Sequence, residues 1–236
     1  MPTQSKAFVN KRLIISTIII FVIIPLILII GVTIFNDRKY NLISMIIAFL
    51  ACVPFFLRFE KRKPQPREMM IIAVMTAISA AGRFAFAMVP GFKPVTAITA
   101  ITGFAFGAEA GFLTGSMSAV VSNIFFGQGP WTPFQMFTWG LLGYIAGLLG
   151  KTGIMKSKMA LIIFGVFSGI LFSVCMDIWS VISLDGIFSW ERYAVAVVAA
   201  IPFTITYAVS NVIFLLILTK PIMKKLERVK IKYGLL

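Results

Sequence analysis

Residues 110–150 read AGFLTGSMSAVVSNIFFGQGPWTPFQMFTWGLLGYIAGLLG, 41 consecutive positions without a charge. A helix crosses the hydrocarbon layer in about 20 residues, so this run is long enough for two crossings. Its centre holds Gly127, Gly129, Pro130 and Pro133, residues that interrupt helices and shape turns. The stretch therefore predicts a helical hairpin in a membrane. It is continuously apolar, without the alternation that a barrel strand requires.

Further uncharged runs extend over Leu13–Phe35, Tyr40–Leu57, Met69–Gly82, Pro94–Ala108, Met159–Met176 and Tyr193–Thr219. With the central hairpin they predict eight spans and an all-α integral membrane fold. Composition agrees: 59% of the 236 residues are hydrophobic and 13% charged, against about 45–50% apolar in a soluble domain. A soluble enzyme and a disordered chain are both excluded.

The net charge of +14 marks topology. With the first helix starting inside, Lys6, Lys11, Arg12, the Arg58–Arg67 segment, Lys151–Lys158 and the Lys220–Lys232 tail all face the cytoplasm. That places 17 basic residues inside and four outside (Arg38, Lys39, Lys93, Arg192), with Arg83 inside the membrane. Both termini are then cytoplasmic. The basic tail (Lys224, Lys225, Arg228, Lys230, Lys232) suits anionic membrane lipid, and nucleic acid is not expected as a partner. The first apolar core is too long for a signal peptide and no small-residue cleavage site follows it. Cys52 and Cys175 would lie near opposite faces of the bilayer, too far apart for a disulfide.

The segment from Arg58 to Arg67 is charged, carries Pro64 and Pro66, and divides the chain. Residues 1–60 form an expected two-helix transmembrane hairpin rich in Ile and Leu, and residues 61–67 a basic cytoplasmic linker. Residues 68–236 form a six-helix membrane domain rich in Gly, Ala, Ser and Thr, whose small side chains allow close helix packing in lipid.

Catalytic chemistry has little to work with. The chain has no histidine, which removes His-based zinc sites and Ser-His-Asp triads. Of the acids, only Asp177 is expected inside a span, leaving no carboxylate pair for acid–base work or a metal. Gly150-Lys151-Thr152 resembles the end of a phosphate-binding loop, but Ile145 stands where that loop needs glycine. No catalytic residue, metal or cofactor is expected, and uphill transport would draw on an ion gradient or another subunit.

Several polar and small-residue patterns mark a binding module. Ala73, Ala77 and Ala81 repeat every fourth residue and form one stripe, serving either packing inside the bundle or a partner helix. Arg83 projects about 120° from that stripe. Arg83 and Asp177 are the two intramembrane charges, each roughly 10–12 Å below the outer surface, and serve either as a structural pair or as substrate contacts. Asn123, Gln128, Trp131, Gln135 and Trp139 surround the glycine–proline loop. Amides and indoles suit a neutral ring-containing ligand, although an interfacial aromatic belt with polar caps has the same composition. Ser173, Asp177 and Ser180 share one helix face, and Thr204, Tyr207 and Asn211 another. Gly103, Gly107, Gly111 and Gly115 straddle an expected cytoplasmic turn at Gly107–Ala110 and predict a tightly packed hairpin.

The stretch from Glu68 to Gly150 resembles the substrate-binding S components of energy-coupling factor (ECF) vitamin transporters. The resemblance rests on Ala73-x3-Ala77-x3-Ala81, Pro94-Val-Thr-Ala, Gly107-Ala-Glu-Ala-Gly111-Phe-Leu-x-Gly115 and Phe126-Gly-Gln-Gly-Pro-Trp-Thr-Pro-Phe-Gln135, and extends from Arg67 to the C-terminus. It implies a subunit without its own ATPase site. Such a subunit binds a vitamin at the outer face, docks on a transmembrane coupling subunit and topples to release substrate inside, driven by two cytoplasmic ATPases. It assigns docking to Ala73, Ala77 and Ala81, and variants of the loop motif favour a corrinoid such as cobalamin. The two extra N-terminal spans depart from the family pattern. An ion-coupled secondary carrier, or a non-catalytic accessory protein, is the competing class.

Overall fold

The computed structural model describes residues 14–35, 46, 50, 53, 66–153, 157–185 and 188–234. Those residues form helices and turns, with no strand among them. The chain is helical from residue 14, passes through a π-helical turn at Ile19–Ile23 and continues as α1 (Ile24–Phe35). Seven helices follow: α2 (Pro66–Ala85), α3 (Val95–Phe106), α4 (Ala108–Phe126), α5 (Trp131–Gly150), α6 (Lys158–Asp185), α7 (Trp190–Ala199) and α8 (Ile201–Tyr233). The expected second span, Tyr40–Leu57, and Cys52 with it, falls almost wholly outside the described residues. Cys175 is a free thiol.

Three of these helices, Pro66–Ala85, Lys158–Leu184 and Ile201–Tyr233, are long and apolar enough to cross a membrane. Helices α4 and α5 have 19 and 20 residues, sufficient length for a crossing, but they carry the Ser, Thr, Asn and Gln side chains of the polar interior.

Two boundaries differ from expectation because of proline. Helix α2 begins at Pro66, inside the stretch read as linker, because a proline in the first turn loses no intrahelical bond. The run read as one span from Tyr193 to Thr219 is broken at Ala200 into α7 and α8. Pro202 lacks an N–H and its ring would clash with the carbonyl four residues back, so one continuous helix is blocked. The expected tail after Lys220 continues α8 to Tyr233.

The expected fourth span is also shorter than a crossing. Helix α3 has 12 residues, about 18 Å at 1.5 Å each, against roughly 30 Å of hydrocarbon. Residues 86–94 before it form a turn-rich loop containing Pro90, Gly91 at φ 77° and Pro94. The loop is tied to α8: the Lys93 N–H donates to Ser210 Oγ at 2.9 Å, and the Ser210 hydroxyl donates back to the Lys93 carbonyl at 3.2 Å. Phe92 and Phe86 pack with Phe214, at centroid distances of 4.9 and 5.1 Å.

The core is built on glycine. The connection between α3 and α4 is a single residue, Gly107 at φ 97°, tighter than the expected Gly107–Ala110 turn; a side chain is strained at that φ. Gly103 and Gly111 then face the third partner, α5. A Cβ added at Gly111 would lie 2.2 Å from the Gly143 carbonyl oxygen, and one at Gly103 would lie 2.4 Å from the same atom. Gly115 meets Trp139 and Gly140 in the same way. The glycines thus bring α3, α4 and α5 into backbone contact, which compensates for the absence of a hydrophobic driving force between helices in lipid. Gly165 and Gly169 on α6 seat α8 at Val212 and Ala208.

The N-terminal helix packs on this body through α5. Thr17 Oγ1 and the Tyr144 hydroxyl are 2.9 Å apart, Phe21 meets the Tyr144 ring edge-on at 6.2 Å, and Ile20 and Ile24 are fully buried.

Candidate functional site

Arg83 sits in the last turn of α2, at the end remote from Pro66, and is 6% exposed. An isolated cation at this depth is costly, so its partners define the local structure. Its Nη1 donates to Ser122 Oγ at 2.6 Å and to Asn123 Oδ1 at 2.7 Å, both on α4. The guanidinium lies over the rings of Phe126, at 4.5 Å, and Trp139, at 5.1 Å. Hydrogen bonds and π-faces together replace the lost hydration.

Asn123 is fully buried and joins three elements. While its Oδ1 accepts from Arg83, its Nδ2 donates to Thr132 Oγ1 and to Gln135 Oε1, both at 2.9 Å. Thr132 Oγ1 also accepts the Gly129 N–H and donates to Gln128 Oε1, and Gln128 Nε2 donates to the Val120 carbonyl. Trp131 packs its ring against Gly129, where a Cβ would lie 2.3 Å away. The glycine–proline loop is therefore a fixed structure.

Beside this network opens a cavity of about 270 Å³. Its walls come from α2 (Arg83), the loop before α3 (Lys93), α5 (Gln135, Trp139), α6 (Phe172, Ser173, Met176, Asp177, Ser180), and α8 with the residue before it (Ala200, Phe203, Tyr207). One wall is aromatic: Trp139 stacks on Phe172 at 5.3 Å and 17°, and Phe172 meets Tyr207 edge-on at 5.1 Å. Two larger clefts, of about 500 and 760 Å³, lie toward the other end of the bundle and are mainly apolar. The smaller cavity is the candidate site because charge, amide, hydroxyl and aromatic faces converge there.

Of the residues singled out in the sequence, Arg83, Gln135, Trp139 and Asp177 line this cavity. Asn123, Gln128 and Trp131 stand behind or above it and hold its wall and loop. Arg83 and Asp177 share the cavity, yet no ion pair joins them among the described residues. Arg83 Nη1 is committed to α4, and Asp177 Oδ2 is buried without a hydrogen-bond partner. Asp177 is also not the sole buried acid. Glu68 and Glu109 are each 3% exposed in the first turns of α2 and α4, where the helix N-terminus favours a carboxylate. Among the described residues no group of three acids, cysteines or histidines is placed to hold a metal.

The two polar helix faces divide their roles. Ser173, Asp177, Ser180 and Tyr207 line the cavity, while Thr204 donates to Ser173 Oγ at 2.6 Å and Asn211 to Ser168 Oγ at 3.0 Å, joining α8 to α6. Lys93 was placed only in an outer loop, with no site role. Burial and the nearby Arg83 charge hold its ammonium below the usual lysine range of 10.5. Its sequence signal was weak: a lone basic residue between Phe92 and Pro94 reads as a topological marker.

Ala73, Ala77 and Ala81 lie on the outside of α2, all exposed, while Ile72, Met75, Thr76, Ser79 and Ala80 face the bundle. The stripe is therefore not used in the protein's own core.

A helical membrane body with a polar, aromatic-walled cavity and an exposed small-residue face defines a membrane-embedded binding subunit. The chain belongs to the family described as "ECF-type riboflavin transporter, S component", whose model matches residues 63–228. As a member it is a substrate-specific transport subunit of an ECF transporter, which works with transmembrane and ATPase subunits on a vitamin substrate. No curated protein and no solved structure matches the chain.

Proposed function

We propose that this chain captures riboflavin, or a closely related flavin, from outside the cell and delivers it inward by docking on the coupling subunit of an ECF transporter. The observation that carries this reading is the cavity. About 270 Å³ bounded by the Trp139–Phe172–Tyr207 wall, Gln135 and two cations suits a planar heterocycle with several hydrogen-bonding edges. Arg83, Gln135, Trp139 and Asp177 contact the ligand, and Asn123, Gln128 and Trp131 position the wall and loop. The corrinoid expected from the loop motif is a macrocycle with an appended nucleotide, several times larger than a three-ring flavin, and the family description names riboflavin.

Ala73, Ala77 and Ala81 form the docking surface, since their exposure leaves a flat face for a partner helix. Both termini are cytoplasmic, which puts the cavity end of α2 outside. The first N-terminal helix travels with the body, a reading supported by the Thr17–Tyr144 contact. Mass spectrometry of the small molecules and proteins that copurify in mild detergent tests the proposal. A bound flavin together with a coupling subunit and two ATPases is expected. A corrinoid in place of the flavin overturns the substrate, and purification without ATPase subunits overturns the assembly.

A further inference from the structure

Asp177 is 8% exposed on α6, and its Oδ2 has no hydrogen-bond partner. A buried carboxylate oxygen without a donor is costly, and the cavity that Asp177 lines is where a ligand can supply one. The terminal torsion of an aspartate is broad, so the carboxyl can turn toward a ligand. Ser180 lines the same cavity from the next turn of α6, and its hydroxyl donates to the Met176 carbonyl at 3.2 Å. Its oxygen is left to accept. Asp177 and Ser180 therefore present acceptors in a row, which suits a ligand segment carrying successive hydroxyl donors.

The register of α6 and α8 fixes where these acceptors stand. Thr204 meets Ser173 through a 2.6 Å hydrogen bond, while Gly169 and Gly165 meet Ala208 and Val212, so the two helices run antiparallel. One turn beyond the Ser173–Thr204 contact, Asp177 comes level with Ala200, and both line the cavity. The cations come from further along. The Lys93 backbone is bonded to Ser210, ten residues along the chain from Ala200, or about 15 Å of helix. Arg83 lies over Trp139, which stacks on Phe172, five residues from Asp177 toward the start of α6. The cavity is polarised along its length, with the acid at one end, the aromatic wall in the middle and the cations toward the other.

We propose that Asp177 sets both the orientation and the selectivity of flavin capture. It accepts hydrogen bonds from the hydroxyls of the flavin's polyol side chain, while the ring lies against the Trp139–Phe172 wall and turns its carbonyl edge toward Arg83 and Lys93. A terminal phosphate on that side chain would meet the Asp177 carboxylate, and like charges brought together oppose binding. The site therefore takes riboflavin in preference to riboflavin 5′-phosphate. This selectivity rests on the flavin reading of the cavity and specifies which end of the ligand each charge meets.

Titration of the full chain in detergent with riboflavin, with lumiflavin (the ring without the polyol) and with riboflavin 5′-phosphate, followed by flavin fluorescence, tests this. Wild type should bind riboflavin roughly ten- to hundred-fold more tightly than either of the others, the range expected of a hydrogen bond to a charged group. Asp177→Asn keeps the shape and removes the charge. It should lose most of the riboflavin advantage, narrow the gap to the phosphate to about threefold, and shift lumiflavin affinity by about threefold at most. Lumiflavin binding thus reports that the variant is folded, and the wild-type preferences decide the matter if it is not. Riboflavin 5′-phosphate or lumiflavin bound by wild type as tightly as riboflavin, or preferences unchanged in Asp177→Asn, would overturn the proposal while leaving flavin capture standing. Binding of none of the three by wild type would overturn flavin capture itself, and the proposal with it.

Discussion

Arg83 and Asn123 meet through a 2.7 Å hydrogen bond from Nη1 to Oδ1, and this contact fastens the end of α2 to the last turn of α4. Because Asn123 also holds Thr132 and Gln135, one buried amide sets the position of a cation, a loop and a cavity-lining side chain. Asn123→Ala leaves all three without that partner. A lost hydrogen bond to a charged group costs about 1.5–3 kcal/mol, so ligand affinity should fall roughly ten- to hundred-fold. Titration of wild type and variant in the same detergent reads this directly.

The glycine contact between α4 and α5 should tolerate no methyl group. A Cβ at Gly143 would lie 2.2 Å from the Gly111 carbonyl oxygen, and backbone cannot move aside as a flexible side chain would. Overpacking a tight contact costs about 1–3 kcal/mol. Gly143→Ala should lower the thermal unfolding midpoint in detergent, and Gly111→Ala should do the same. Unchanged midpoints would show that these helices are not held at backbone distance.

Docking and substrate capture should separate on α2. Ala77 is exposed, and Arg83 faces the cavity. Ala77→Trp is expected to bind substrate as wild type does while abolishing uptake by the assembled transporter. Retained uptake in vesicles would remove the alanine stripe from the docking surface.

Lys93 should leave a signature in alkaline solution. Its folded-state pKa is lowered by burial, then by Arg83, so the unfolded chain holds this proton to higher pH than the folded one. Stability therefore rises with pH across the interval below 10.5. At neutral pH the charged ammonium penalises the folded state, and Lys93→Met should be the more stable protein there. The difference should shrink as pH rises toward 10.5 and level off above it, which melting curves at several pH values can follow.

The sequence carried the class of fold and singled out four residues that line the candidate cavity, for identifiable reasons. Uncharged runs bounded by basic residues marked α2, α4, α5 and α6 because hydropathy acts locally. Pro202 was present in the sequence too, but a single proline within a long apolar run does not announce whether it kinks or ends a helix. The run Pro94–Ala108 coincides with α3 to within two residues at each end, but at 15 residues it is shorter than a crossing, and counting uncharged runs does not test their length. In the site, equal depth brought Arg83 and Asp177 to one cavity. Their suspected pairing failed because Ser122 and Asn123 reach the guanidinium from α4, a contact decided by how α4 packs against α2. The partners of Gly103 and Gly111 were invisible for a similar reason: Gly143 lies more than thirty positions from Gly111.

Fluorescence titration of riboflavin with the purified chain alone tests the central claim most directly. Flavin held against Trp139 should be quenched with one-to-one stoichiometry, Trp139→Ala and Arg83→Gln should weaken the effect, and excess cobalamin should leave it unchanged. Absence of quenching at stoichiometric protein, or displacement of the flavin by cobalamin, would contradict a flavin-binding S component.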